Sequence, residues 1–138
     1  MGNAPLKLLL DTHVWVWSQE QPERLGPRTT KLLLSAAHEN HVCAISTLEI
    51  ARLVEAGAIA LTTSLHDWVQ QSLGLLAATT VPVTHDIALE AYALPPPFHR
   101  VPADRILVAA ARLRDLSLVT ADDRILVYRA VETRDARR

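Results

Sequence analysis

Leu6-Lys7-Leu8-Leu9-Leu10-Asp11 is a short apolar run closed by an acid. Its length and leucine content predict a strand buried on both faces, the pattern of a parallel sheet. Comparable short runs follow at 42–45, 79–83, 116–120 and 130–133. Pro82 suits the third of these to a sheet edge. Helical stretches are expected between them, at about 12–20, 27–37, 46–57, 64–73, 86–94, 102–115 and 122–128. Pro27 and Pro102 sit at favoured first-turn positions. Gly74 reads as a helix stop, and Pro95-Pro96-Pro97 ends a helix and stiffens the connection after it. The segment Ile106-Leu107-Val108-Ala109-Ala110-Ala111 is apolar on most sides, so its helix should be well buried. Short apolar strands alternating with helices imply an α/β sandwich with a mainly parallel sheet.

A chain of 138 residues fits a single domain spanning 1–138. Apolar residues make up 49% and charged residues 21%, which excludes low-hydrophobicity disorder. The single cysteine, Cys43, excludes an internal disulfide framework and a multi-cysteine zinc site. The net charge is −1, which argues against a broadly basic nucleic-acid binder. It leaves room for a nucleic-acid enzyme that grips through metal ions and a few local arginines. Arg134, Arg137 and Arg138 read as a solvated tail. The apolar run before Asp11 is too short for a secretory leader, and no stretch approaches the ~18 apolar residues that span a bilayer. The expectation is a soluble cytoplasmic protein with no membrane partner.

In parallel sheets ligands bind beyond the carboxyl ends of the strands. Four acids fall at such places. Asp11 closes the first strand, Glu49 follows the second, Asp104 lies in the first turn of the Pro102 helix, and Asp122 follows the 116–120 strand. Each has a structural alternative or lacks one. Ser46-Thr47-Leu48-Glu49 fits a capping box, Asp104 complements a helix dipole, and Asp122 suits an N-cap. Asp11 has no evident capping partner in the sequence. If the four converge on one sheet edge, they repel strongly in a low-dielectric cleft. A divalent cation resolves that repulsion, and an oxygen-only ligand set favours Mg²⁺ or Mn²⁺. Such ions activate water and stabilise charge on a phosphodiester.

Four blocks occur in order: Leu8-Leu9-Leu10-Asp11-Thr12-His13, Ile45-Ser46-Thr47-Leu48-Glu49-Ile50, His99-Arg100-Val101-Pro102-Ala103-Asp104-Arg105 and Leu118-Val119-Thr120-Ala121-Asp122. Together they resemble the PIN-domain family, specifically the VapC-type toxins of bacterial type II toxin–antitoxin systems, over about residues 6–134. The resemblance implies a three-layer α/β/α sandwich with Mg²⁺- or Mn²⁺-dependent endoribonuclease activity. It also implies a homodimer silenced by a cognate antitoxin. The family's catalytic and metal-binding acids map onto Asp11, Glu49, Asp104 and Asp122. Thr120 matches a hydroxyl position near that site and is expected, with Arg105, to bind substrate. Many relatives carry Asp where this chain has Val101, and a valine cannot cap the following helix, a loss of ~1 kcal/mol.

The expected mechanism follows. Asp11, Asp104 and Asp122 would bind a first metal, with Glu49 contributing directly or through water. Water would attack phosphorus, assisted by a carboxylate such as Glu49 or Asp104, leaving a 5′-phosphate and a 3′-hydroxyl. Arg105 or Arg100 would hold the backbone phosphate, or Arg105 would pair with a neighbouring acid. The six histidines, His13, His85 and His99 among them, show no metal-ligand spacing. Trp15, Trp17 and Trp68 suit packing better than base stacking, and Cys43 reads as an inert core thiol. Two alternatives stay open. One is a catalytically silent binding module on the same fold. The other is an aspartyl-nucleophile phosphatase, which usually has a second Asp where this chain has His13.

Overall fold

Leu8 and Leu10 point into one hydrophobic core and Leu9 into another. That is the alternation expected of a strand buried on both faces. The strand is β1 (Lys7–Leu10), central in a computed structural model that describes residues 4–138. The first three residues of the single-domain reading lie outside the described residues. Around β1 lie β2 (Glu39–Cys43), β3 (Thr79–Val81), β4 (Ser117–Thr120) and β5 (Thr133–Asp135), in the order β3-β2-β1-β4-β5. Every pairing is parallel. Parallel pairing requires crossover connections, and helices supply most of them.

One core packs Trp15 of α1 (Thr12–Glu20), Leu33 of α2 (Pro27–Leu34), Ile50 of α3 (Ala44–Glu55) and Trp68 of α4 (Leu65–Leu75) onto one face of the sheet. The opposite core packs Ile87 of α5 (His85–Ala91), Leu107 of α6 (Pro102–Arg114) and Ile125 of α7 (Asp123–Leu126) onto the other. The three-layer α/β/α expectation holds. As expected, the middle of α6 is buried, and Val101 is its N-cap without a side-chain bond.

The differences lie at element ends. The last strand was expected at 130–133 and is Thr133–Asp135. Val131 is apolar because it enters the core from the preceding bend, while the edge strand itself is polar. β2 starts earlier than its apolar run because Asn40 is buried within it. The Asn40 Nδ2 amide donates to the Leu33 and Leu76 carbonyls at 2.9 and 3.0 Å. It thus ties the ends of α2 and α4 to the sheet. The helix through Gly74 also runs on to Leu75.

Sequence order runs outward from β1 in both directions, through β2 and β3 on one side and β4 and β5 on the other. The reversal between β1 and β4 is the topological switch point where such sheets place ligands. Replacing Asn40 by Ala would leave two buried carbonyls unpaired. We expect Asn40→Ala to lower stability by about 2 kcal/mol or more in urea denaturation. An unchanged midpoint would show that the amide does not hold these helix ends.

Candidate active site

The carboxyl ends of β1 and β4 are joined by one more rung of the ladder, with the Asp11 N–H donating to the Val119 carbonyl at 2.9 Å. The chain then turns into α1, with Asp11 as its N-cap. Asp11 Oδ1 accepts from the Thr12 N–H at 2.7 Å. The capping partner not evident in the sequence is therefore the next residue. Asp11 Oδ2 accepts from the Thr120 hydroxyl at 2.6 Å. The same Thr120 oxygen accepts from the Asp122 N–H at 3.0 Å. Asp122 in turn is the N-cap of α7, its Oδ1 accepting from the Arg124 N–H at 2.9 Å.

Asp104 lies in the first turn of α6 and is buried. Its Oδ2 is 2.7 Å from His99 Nε2 and 3.7 Å from Arg124 Nη2. Glu49 is half-buried in the second turn of α3. The capping-box reading of Glu49 fails because α3 begins at Ala44, two residues before Ser46. Ser46 Oγ instead accepts from the Thr12 hydroxyl at 2.9 Å, joining the start of α3 to the start of α1. Asp11, Glu49, Asp104 and Asp122 line one cleft of about 270 Å³, together with Arg124 and Val101. The carboxylates do not form a finished coordination shell. Among the described residues, no three His, Cys, Asp or Glu side chains are grouped closely enough to hold an ion. Asp104 and Asp122 are instead engaged with His99 and Arg124.

The fold that brings these four acids to one cleft is matched by comparison with known proteins. A PIN domain model matches residues 8–131. The chain belongs to the PIN-domain family. Ribonuclease VapC22 of Mycobacterium tuberculosis is 37% identical over 122 residues, spanning 88% of this chain and 92% of that protein. Among solved structures, a toxin–antitoxin complex from Klebsiella pneumoniae superposes with a TM-score of 0.62 at 21% identity, covering 94% of this chain and 97% of that one. VapBC2 from Rickettsia felis, bound to a promoter DNA fragment, superposes at 0.61 with 12% identity, covering 92% and 96%. At those identities the structures bear on the fold alone.

Two expected site residues of this PIN domain take other roles. Thr120 is fully buried, and its hydroxyl is taken up by Asp11 and the Asp122 N–H. Arg105 is not among the residues lining the cleft. Its guanidinium donates to the Ala91, Phe98 and His99 carbonyls at 3.0, 3.1 and 3.0 Å. The phosphate-binding expectation for Arg105 gives way to a clip that holds the proline-rich loop against α5. Removing the clip leaves three carbonyls without their charged donor. Both Arg105→Ala and Arg105→Lys should lose about 2 kcal/mol or more in urea unfolding, because one ammonium cannot match the planar fork. Full stability in both variants would restore a substrate role.

Sequence reasoning set His99 aside with the other histidines for want of metal-ligand spacing, and it missed Arg124. His99 stands five residues before Asp104, across the Pro102 turn. Arg124 stands two residues past Asp122 and is brought back by the capping turn.

The electrostatics separate the acids. Burial pushes the Asp11 carboxyl up to about 6; the Thr120 hydroxyl opposes that shift and the Asp104 carboxylate adds to it. The side-chain bond from Arg124 holds Asp122 below the usual carboxylate range. All-oxygen acids lining one cleft are the donor chemistry that hard divalent cations such as Mg²⁺ or Mn²⁺ take, while their present spacing, with Asp104 on His99 and Asp122 on Arg124, leaves no closed ligand group among the described residues. Asp11 takes up its proton more readily in the folded chain than in the unfolded one, whose value is near 3.9. Its contribution to stability is therefore fully present below about pH 4 and is lost as pH rises through about 6. Without divalent cations that loss is about 3 kcal/mol. Thermal melts in EDTA from pH 4 to 7 should show Asp11→Asn less sensitive to rising pH than the parent. Identical pH dependence would mean that burial of this carboxylate is not costly.

Proposed function

We propose that this PIN domain is a Mg²⁺- or Mn²⁺-dependent endoribonuclease toxin. It hydrolyses RNA phosphodiester bonds and is silenced by a cognate antitoxin protein. The observation that carries the reading is the convergence of Asp11, Glu49, Asp104 and Asp122 on one cleft at the sheet's switch point. The relative named Ribonuclease VapC22 supports the ribonuclease activity. The toxin–antitoxin complexes that share the fold are consistent with an antitoxin partner.

Asp11, Asp104 and Asp122 would hold the cation, with Glu49 beside them. The ion would supply positive charge against the acids and polarise the scissile phosphate. Asp11 is preset for this task by Thr120 and the Thr12 N–H, which fix both of its oxygens. Asp104 is oriented by His99. Glu49 enters no salt bridge among the described residues. It is thus the carboxylate free to take a proton from the attacking water. Attack on phosphorus breaks the bond to the 3′-oxygen, leaving a 5′-phosphate and a 3′-hydroxyl. Arg124, at the mouth of the cleft, replaces Arg105 as the guanidinium facing the incoming phosphate.

The protein acts in the cytoplasm as a homodimer in this reading. No helix among the described residues is long and apolar enough to cross a membrane. Exposed Leu34, Leu48, Leu75 and Leu89 offer apolar surface for a second copy or an antitoxin. Light scattering of the antitoxin-free chain at micromolar concentration tests the dimer, and a purely monomeric mass would remove it.

Purified chain freed of antitoxin should cleave RNA with Mn²⁺ and stop with EDTA. Because Glu49 caps nothing, Glu49→Gln and Glu49→Ala should both lose cleavage tenfold or more while unfolding within about 0.5 kcal/mol of the parent. Cleavage that persists in EDTA, or an active Glu49→Ala, would falsify this mechanism. No cleavage of any RNA would favour the silent binding module.

A further inference from the structure

The four acids gather at the carboxyl edge of the sheet, and cations gather at the other. Leu6 and His38 immediately precede β1 and β2, so they mark the amino edge. A pocket of about 470 Å³ lies there, lined by Arg28 and Lys31 of α2, by His38 and by Arg134 of β5, with Leu6 and Ser35 between them. Arg28, Lys31 and Leu32 stand three and four apart, which puts them on one face of α2. That face is fixed beside β5, because the Thr29 N–H and hydroxyl both donate to the Arg138 carbonyl at 3.0 Å. Arg134, expected in a solvated tail, is instead half-buried in the middle of β5.

No acid lines this pocket. Arg28, Lys31 and Arg134 enter no salt bridge among the described residues. The adjoining hollow, which shares Arg28 and Arg134, carries Glu132 and Asp135, but Asp135 is held by Arg137 and Glu132 pairs with none of the three cations. Arg134 Nε is also buried without a hydrogen-bond partner. A buried donor on a charged group is costly to leave unpaired. His38 adds a donor of a different kind. Its Nδ1 accepts from the Leu6 N–H at 2.9 Å, which places the proton of the neutral ring on Nε2.

We propose that this pocket binds the diphosphate or phosphate-monoester group of a small molecule, at the sheet edge opposite the acidic cleft. Two guanidiniums, an ammonium and an imidazole N–H are donors only, the set that phosphate oxygens accept from. The volume falls in the range of about 300–1,000 Å³ typical of small-ligand pockets. Charge decides between sources of phosphate. Three cations match a group that carries two or more negative charges, whereas a phosphodiester of a nucleic-acid backbone carries one. The ligand would join α2, the start of β2 and β5, so binding should stabilise the folded chain. The proposal does not rest on the ribonuclease reading, and its test needs no turnover.

The test is calorimetric titration of the chain, stripped of divalent cations on a chelating resin, in about 0.15 M NaCl to screen diffuse attraction. The probes are inorganic pyrophosphate and the ribodinucleotide UpU, which has a single phosphodiester. Pyrophosphate should bind one site with a dissociation constant below about 1 mM, and UpU at least about tenfold more weakly. Pyrophosphate should also raise the melting temperature. Lys31→Glu and Arg28→Glu change exposed side chains of α2. Each should weaken pyrophosphate about tenfold or more without lowering the melting temperature of the unliganded chain. Arg129→Glu, the same charge change at an exposed position outside the pocket, should bind like the parent. No saturable binding of pyrophosphate up to about 10 mM overturns the proposal. Equal weakening in Arg129→Glu and Lys31→Glu overturns it too, since attraction is then diffuse. UpU binding as tightly as pyrophosphate, and lost in Lys31→Glu, overturns it in favour of a nucleic-acid backbone.

Discussion

One buried hydroxyl joins the halves of the site. Thr120 Oγ donates to Asp11 and accepts from the backbone of Asp122. It thereby locks the end of β1 to the end of β4 at the point where the sheet's connectivity reverses. A carboxylate without such partners would be too costly to bury there. With them it is buried, pushed up to about 6, and aimed into a cleft with three more acids. The fold holds Asp11 in a conformation that lowers its own stability, as functional sites commonly do. The Thr12–Ser46 hydroxyl pair extends the same tie to α3, which carries Glu49.

The places of the acids were legible because a parallel sheet has one edge where ligands collect. Three of the four sit at that edge by simple counting from an apolar run: Asp11 and Asp122 after strands, and Asp104 in a proline-opened first turn. Glu49 was placed correctly but for a mixed reason. Its capping alternative depended on where α3 begins, and the start moved by two residues because Ala44 and Ile45 continue the helix rather than the strand. The polar strands were the hardest to see. Asn40 is buried in β2 because it bonds two helix-end carbonyls that are distant in sequence. β5 is polar throughout. Arg105 was misjudged for a related reason, since its three carbonyl partners come from α5 and the loop after it, and no local spacing marks a clip of that kind.

Two side chains engage the acids in different ways, and burial separates them. The His99–Asp104 contact is enclosed, with side chains 18% and 11% exposed, so it behaves as part of the scaffold. Arg124 is 59% exposed where it meets Asp122. Pairs exposed to that degree are worth about 0–1 kcal/mol. Arg124 can therefore leave Asp122 at little cost. Its guanidinium lines both the acidic cleft and the neighbouring groove beside the proline-rich loop. The exposed start of the four-residue helix α7 keeps that ion pair weak.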